Sequence, residues 1–309
     1  LVGEENRGLN VMFIMMNAAR LAVGTQGVAV AERATQRAVA YAKERRQGRS
    51  PKGGDGMAPI IEHADIRRCL MTMKALTQAA RAICLVTARE TDVARRAATE
   101  TERTAASHRV ALLTPVAKAF STDIGCEVAS IGVQVHGGMG FIEVTGAAQI
   151  YRDARILPIY EGTNGIQAID LVTRKLALEG GKVVEAYITE LAQTAEEVRR
   201  SNRPEFGRMG ERLGEAVAAL AEASRWMGGA LRSNPEAALA GAAPYLRLFG
   251  LAAGGTYLAK GALAAARAGD GQRQAIAVAR FFAENLATAA PGLKESVVSG
   301  AESVLALSA

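Results

Sequence analysis

The chain is 309 residues long, which allows one large or two ordinary domains with substantial cores. Aromatic residues make up only 5% while alanine and glycine are abundant, a composition that favours helices packed closely through small side chains. The formal charge of +6 is uneven: residues 1–180 hold 23 Lys/Arg against 18 Asp/Glu and residues 181–309 hold 14 against 13, so the excess lies in the first part, where a phosphate-rich small ligand explains it as well as a polynucleotide would.

Gly8 to Arg46 reads as one long helix, because Val23, Gly27, Val30, Ala34, Ala38 and Tyr41 recur at three- and four-residue steps. Gly48 to Gly56 is a breaker segment, and Pro59 suits the opening of a second helix through Arg96. The polar stretch Thr99 to Ser107 is expected to be a loop, with His108 a loop residue beside it. Thr114-Pro115 looks like an N-cap followed by proline at the first helical position, starting a third helix to about Val135. Short helices are expected around Thr145–Arg155 and from Thr163 to Leu178, and Glu179-Gly180-Gly181 ends the first unit. Further helical runs fall near Lys182–Asn202, Pro204–Met227, Pro235–Ala268, Gln272–Ala287 and Leu293–Leu307. No strand alternation survives beyond a few residues. The expected fold is all-α, a bundle domain over residues 1–180 followed by a helical extension domain over 181–309.

Cys69, Cys84 and Cys126 are widely spaced without a C-x-x-C, which argues against a metal site or disulfide framework and fits a reducing, cytoplasmic location. The most apolar window, Leu248 to Ala259, is too short to span a bilayer, and no membrane association is expected. The chain starts at Leu1 without an initiator Met, as a piece of a longer protein would.

Three motifs stand in order: Gln134-Val135-His136-Gly137-Gly138-Met139-Gly140, then Tyr151-Arg152-Asp153-Ala154, then Tyr160-Glu161-Gly162-Thr163-Asn164-Gly165. The glycines let backbone N–H groups approach phosphate without interference from Cβ, and Thr163 can cap the helix that follows. This order and spacing resembles the C-terminal domain of flavin-dependent acyl-CoA dehydrogenases. The resemblance implies an all-α C-terminal bundle with a helical extension, FAD as cofactor, and an acyl-CoA substrate. It also implies an electron-transfer flavoprotein as acceptor and a homo-oligomer.

The resemblance makes Glu161 the base that removes the substrate α-proton; in a dry pocket a carboxylate becomes a stronger base than in water. The segment Glu44-Arg45-Arg46-Gln47-Gly48 resembles the family's E-R-x-Q-F-G, which assigns Arg45 to the flavin pyrophosphate, in many members that of a neighbouring subunit. Gln134, Gly137, Gly138, Thr163, Asn164 and Gly165 match positions along the flavin. Asn17, Arg20 and Gly162 match positions near the acyl-CoA, although the family often has Asp where Asn17 stands. The plainer reading of the glycine pair is a helix C-cap after Val135. His63 is kept as a flavin contact, whereas His136, Arg152 and Asp153 are read as structural.

The similarity covers Val2 to about Leu178, and the motifs are especially similar to the branch of methylthiopropionyl-CoA dehydrogenases. Two related activities compete: a DNA-binding alkylation-response homologue, which the near-neutral extension disfavours, and an acyl-CoA oxidase. A purely structural or assembly role is disfavoured by Glu161. The fragment by itself is expected to be inactive.

Overall fold

The computed structural model describes residues 2–51, 53, 56–269 and 273–306. Three residues of the expected breaker segment, and the expected helix limits at Gln272 and Leu307, lie outside the described residues. Three long helices organise the first part: α1 (Gly8–Glu44), α2 (Ala64–Arg96) and α3 (Glu100–His136). α1 and α3 run side by side in the same direction, since Gly27 abuts Ser121 and, farther along both, Ala34 meets Gly132. A Cβ on Gly27 would sit 2.5 Å from the Ser121 carbonyl oxygen, so glycine is what permits this close approach. α1 and α2 are long and apolar enough to cross a membrane by length and composition, and both pack along α3.

Several boundaries differ from the sequence expectation. α1 stops at Glu44, because Arg45 turns to extended backbone and leads into β1 (Arg46–Arg49), paired antiparallel with β2 (Met57–Pro59). Pro59 precedes a 3₁₀ turn, Ile60–Glu62, and α2 begins only at Ala64. The expected loop over Thr99–Ser107 is helix. Thr99 and Glu102 form a capping box, each side chain accepting the other's backbone N–H at 3.2 Å. His108 accordingly lies on α3, its Nε2 3.7 Å from Glu179. Thr114-Pro115 does not start a helix but sits inside one. An interior proline forfeits one helical hydrogen bond; here it is buried, and the Thr114 hydroxyl beside it donates to the Val110 carbonyl at 2.7 Å.

The chain then makes α4 (Gly138–Phe141), α5 (Ala147–Ala154) and α6 (Asn164–Asp170), the last continuing into a π-helical turn over Leu171–Lys175. The extension comprises α7 (Lys182–Ser201), α8 (Met209–Ser233), α9 (Pro235–Ala240), α10 (Ala242–Ala268), α11 (Arg273–Asn285), α12 (Ala290–Ser299) and α13 (Ala301–Leu305). The run expected over Pro235–Ala268 is thus divided at Gly241, and the last run at Gly300. α10 is buried along most of its length, with Gly250 against Phe120 of α3 and Gly254 against Ala79 of α2. The Tyr187 and Tyr257 hydroxyls share a hydrogen bond of 2.7 Å, and Arg247 pairs with Glu127 at 2.8 Å. The apolar core runs without interruption from α1 to α12.

Candidate active site

Between α5 and α6 the backbone folds into a closed loop, in which the Asn164 N–H donates to the Pro158 carbonyl at 2.9 Å. Glu161 and Gly162 both adopt positive φ, 56° and 85°. The φ of 162 favours glycine, and a Cβ there would also lie 2.8 Å from Gln167 Nε2 and displace that amide. That Nε2 donates to the Gly162 carbonyl at 3.2 Å and to the Glu161 carbonyl at 3.4 Å. Thr163 caps α6 as expected, its hydroxyl accepting the Ile166 N–H at 3.4 Å. The Tyr160 hydroxyl reaches Gln26 on α1. Glu161 itself is half-buried, and among the described residues its carboxylate has no hydrogen-bond or ion-pair partner.

Beneath the loop lies Lys118, set in α3 and fully buried. Its Nζ donates to the Gly162 carbonyl at 2.9 Å and to Asn164 Oδ1 at 2.8 Å. The two hydrogens of Asn164 Nδ2 are shared among three acceptors, the Ala119 carbonyl, Thr122 Oγ1 and Asp123 Oδ1, at 3.1, 2.9 and 2.7 Å. Burial pushes the Lys118 amine down to about 8; the nearby carboxylates of Asp123 and Glu161 oppose that, and the Arg20 charge reinforces it. Burial also raises Asp123, against the hydrogen bond from Asn164. The Asn164 side chain is therefore committed to α3, and only its backbone can face a ligand.

Arg20 is nearly as buried. Its Nη1 donates to Asp170 Oδ2 at 3.2 Å and to Asn17 Oδ1 at 3.4 Å, while its Nε has no partner among the described residues. Asn17, Arg20, Asp170 and Lys175 line one side of a cleft of about 200 Å³, with Thr91, Arg95 and Ser107 across it. Asp170 also takes Arg174, and the π-helical turn that follows places Lys175 3.8 Å from the same carboxylate.

The remaining expected residues gather elsewhere. Arg45, His63, Gln134, Gly137 and Gly138 line a cleft of about 590 Å³ together with Tyr41 and Met139. Gly137, at φ 59°, ends α3 as the C-cap one residue later than expected, and added Cβ atoms at Gly137 or Gly138 would meet nothing within 4 Å. His63 donates from Nε2 to the Gln47 carbonyl at 2.7 Å, and His136 stacks on Tyr41 while Nδ1 donates to the Gly132 carbonyl. Arg152 makes a two-pronged pair with Glu143.

The structure thus divides the expected site residues into two groups. Arg20 and Arg45 lie on the same helix and its C-terminal exit, separated by about 37 Å of axis at 1.5 Å per residue. Lys118 and Gln134 are separated on α3 by about 24 Å on the same scale. Sequence reasoning passed over Lys118, Asp123, Gln167 and Asp170. The available signal was a lone cation in the apolar run Val116–Phe120 and a lone acid in Ile166–Val172.

A family model described as the acyl-CoA dehydrogenase C-terminal domain matches residues 6–176, and one described as acetyl-CoA dehydrogenase C-terminal like matches residues 187–308. The chain belongs to the acyl-CoA dehydrogenase family. It is 46% identical over 293 residues to the 3-methylmercaptopropionyl-CoA dehydrogenase of Ruegeria pomeroyi, covering 93% of this chain and 50% of that protein. It is 32% identical to a butyryl-CoA dehydrogenase of Syntrophomonas wolfei, over 71% of this chain and 36% of that protein. The chain spans half or less of the length of these relatives. Among solved structures, an acyl-CoA dehydrogenase from Bacillus anthracis complexed with FAD superposes with a TM-score of 0.74 at 19% identity, over 98% of this chain and 52% of that one. Caenorhabditis elegans ACDH-11, in complex with C11-CoA, gives 0.75 at 17% identity, over 96% and 49%. These two likenesses establish the fold.

Proposed function

We propose that this chain is the C-terminal part of an FAD-dependent dehydrogenase that converts an acyl-CoA thioester to the 2-enoyl-CoA. The observation that carries the reading is the Glu161 carboxylate, left without a partner on a loop whose other polar groups are tied down. Such a carboxylate is free to take the α-proton of a thioester, and the closed loop holds it in place while it does so. Bound FAD would supply the acceptor for the β-hydride. Arg20 and Asn17 stand at the same end of the bundle, where they would orient the acyl-CoA.

The residues present fit a dinucleotide. Arg45 presents a guanidinium beside a cleft floored by two glycines whose Cβ positions are open, an arrangement suited to a pyrophosphate. Thr163 and Gly165, with the Asn164 backbone, lie at the other group. Because about 24–37 Å of helix separates the two groups, Arg45, Gln134, Gly137 and Gly138 would serve a second copy's flavin, in a homo-oligomer of at least two chains. An electron-transfer flavoprotein is the proposed electron acceptor, and the 46% identical relative makes 3-methylmercaptopropionyl-CoA the first substrate to try. The run of left-handed residues Glu179, Gly180 and Gly181 is the proposed boundary between the bundle, residues 1–180, and the extension, residues 181–309.

The test is Glu161→Gln in the full-length protein, mixed anaerobically with an acyl-CoA panel while flavin absorbance is followed. Flavin and substrate binding should persist while bleaching slows by at least about 10²–10⁴-fold. Bleaching at the wild-type rate would remove Glu161 as the base and the reading with it.

A further inference from the structure

We propose that Lys118 is a positioning residue for the Glu161 loop: from inside α3 its side chain fixes the direction of the loop backbone and so the aim of the carboxylate. This rests on the reading of Glu161 as the base. A buried ammonium is a costly group, and a methionine of similar length would fill the space without that cost. Neutralising a nearby acid does not account for it. The close partners of Nζ are the Gly162 carbonyl and Asn164 Oδ1, whereas Asp123, at the exposed edge of the site, is met by the Asn164 amide.

Both partners lie in the loop, one on each side of Thr163. Lys118 and Gln167 converge on the Gly162 carbonyl, and Gln167 also takes the Glu161 carbonyl. Those bonds fix the peptide planes on either side of Gly162, and the first of them also bounds Glu161, whose positive φ is disfavoured for a residue with a Cβ and held only where surroundings enforce it. Asn164, anchored to Ala119, Thr122 and Asp123, holds the far side of the loop on the same turn of α3. Release of Lys118 would let the Glu161–Gly162 backbone relax, and the carboxylate would move with it.

The experiment uses the full-length flavoprotein carrying Lys118→Met, beside Glu161→Gln, in anaerobic stopped-flow with a good acyl-CoA. The rate constant of flavin bleaching should fall roughly tenfold to a hundredfold, as misplacement of a reacting group by about an ångström does. Flavin occupancy, acyl-CoA dissociation constant and bleaching amplitude should stay at wild-type values. A rate constant within about twofold of wild type, or a lowered amplitude at normal rate constant, would overturn the proposal, since the latter marks a merely structural residue. If Lys118→Met does not accumulate, Asn164→Ala removes one of the two acceptors and should slow bleaching in the same manner; a normal rate constant there overturns the proposal equally. Normal bleaching in Glu161→Gln would instead sink the assignment of the base, so the two failures are distinguishable.

Discussion

Arg20 on α1 and Asp170 at the end of α6 form an ion pair of 3.2 Å with 6% and 1% of their side-chain surface exposed. It joins one of the two longest helices of the bundle to the helix that follows the Glu161 loop. Asp170→Ala would strand the guanidinium inside the protein, and breaking a buried pair from one side costs about 3–5 kcal/mol. The expected result is a loss of that order in chemical denaturation; a loss below about 1 kcal/mol would show that Arg174 and Lys175 leave little for Asp170 to hold.

Arg45→Ala in the full-length protein should loosen the flavin. Losing a charge-assisted phosphate contact costs about 1.5–3 kcal/mol, or roughly tenfold to a hundredfold in affinity. Equilibrium dialysis with FAD measures it, and unchanged affinity would place Arg45 on a solvated face.

Lys118 should leave a mark on stability against pH. Its folded value, about 8, lies below the ordinary 10.5, so between the two the unfolded chain keeps a proton that the folded chain has lost. Stability therefore rises with pH across that window and is flat, for this group, below it. Burial is the main cause of the lowering; the Asp123 and Glu161 carboxylates oppose it and the Arg20 charge adds to it. The stability difference between wild type and Lys118→Met, followed by urea denaturation, should shift in favour of wild type from pH 8 toward 10.5. A difference independent of pH would contradict the lowered value.

Gly250 on α10 leaves room only for hydrogen against the buried Phe120 ring. Gly250→Ala should overpack this joint between extension and bundle, destabilising by about 1–3 kcal/mol in spite of alanine's better helix propensity. A more stable variant would show that the two layers separate easily.

Local pattern determined a good deal of this protein. The periodic apolar positions of α1, the Thr163 cap, the Gly137 C-cap and the ordered glycine and Tyr-Glu-Gly-Thr motifs all act over a few residues, so the all-α fold and the family were legible in the chain. What depended on distant partners was not. Pro115 mimicked a helix start because an interior proline costs a hydrogen bond, and only burial within the packed bundle makes that cost acceptable. The polar stretch after Thr99 looked like a loop because its exposed face carries the charges, while the capping box and packing keep it helical.

The candidate site shows the same division. Sequence named Glu161, Arg20, Arg45 and the glycines as one constellation, and the tertiary structure placed them at two ends of the bundle, since a straight helix carries Arg45 far from Arg20. All that marked Lys118 along the chain was its being a lone cation in an apolar run, which says nothing of its partners. Its role is set by a carbonyl and an amide more than forty residues away, and such a pairing exists only once α3 lies under the loop. Spacing along the chain encodes which face of a helix a residue occupies; which buried charge meets which backbone carbonyl is decided when the helices pack.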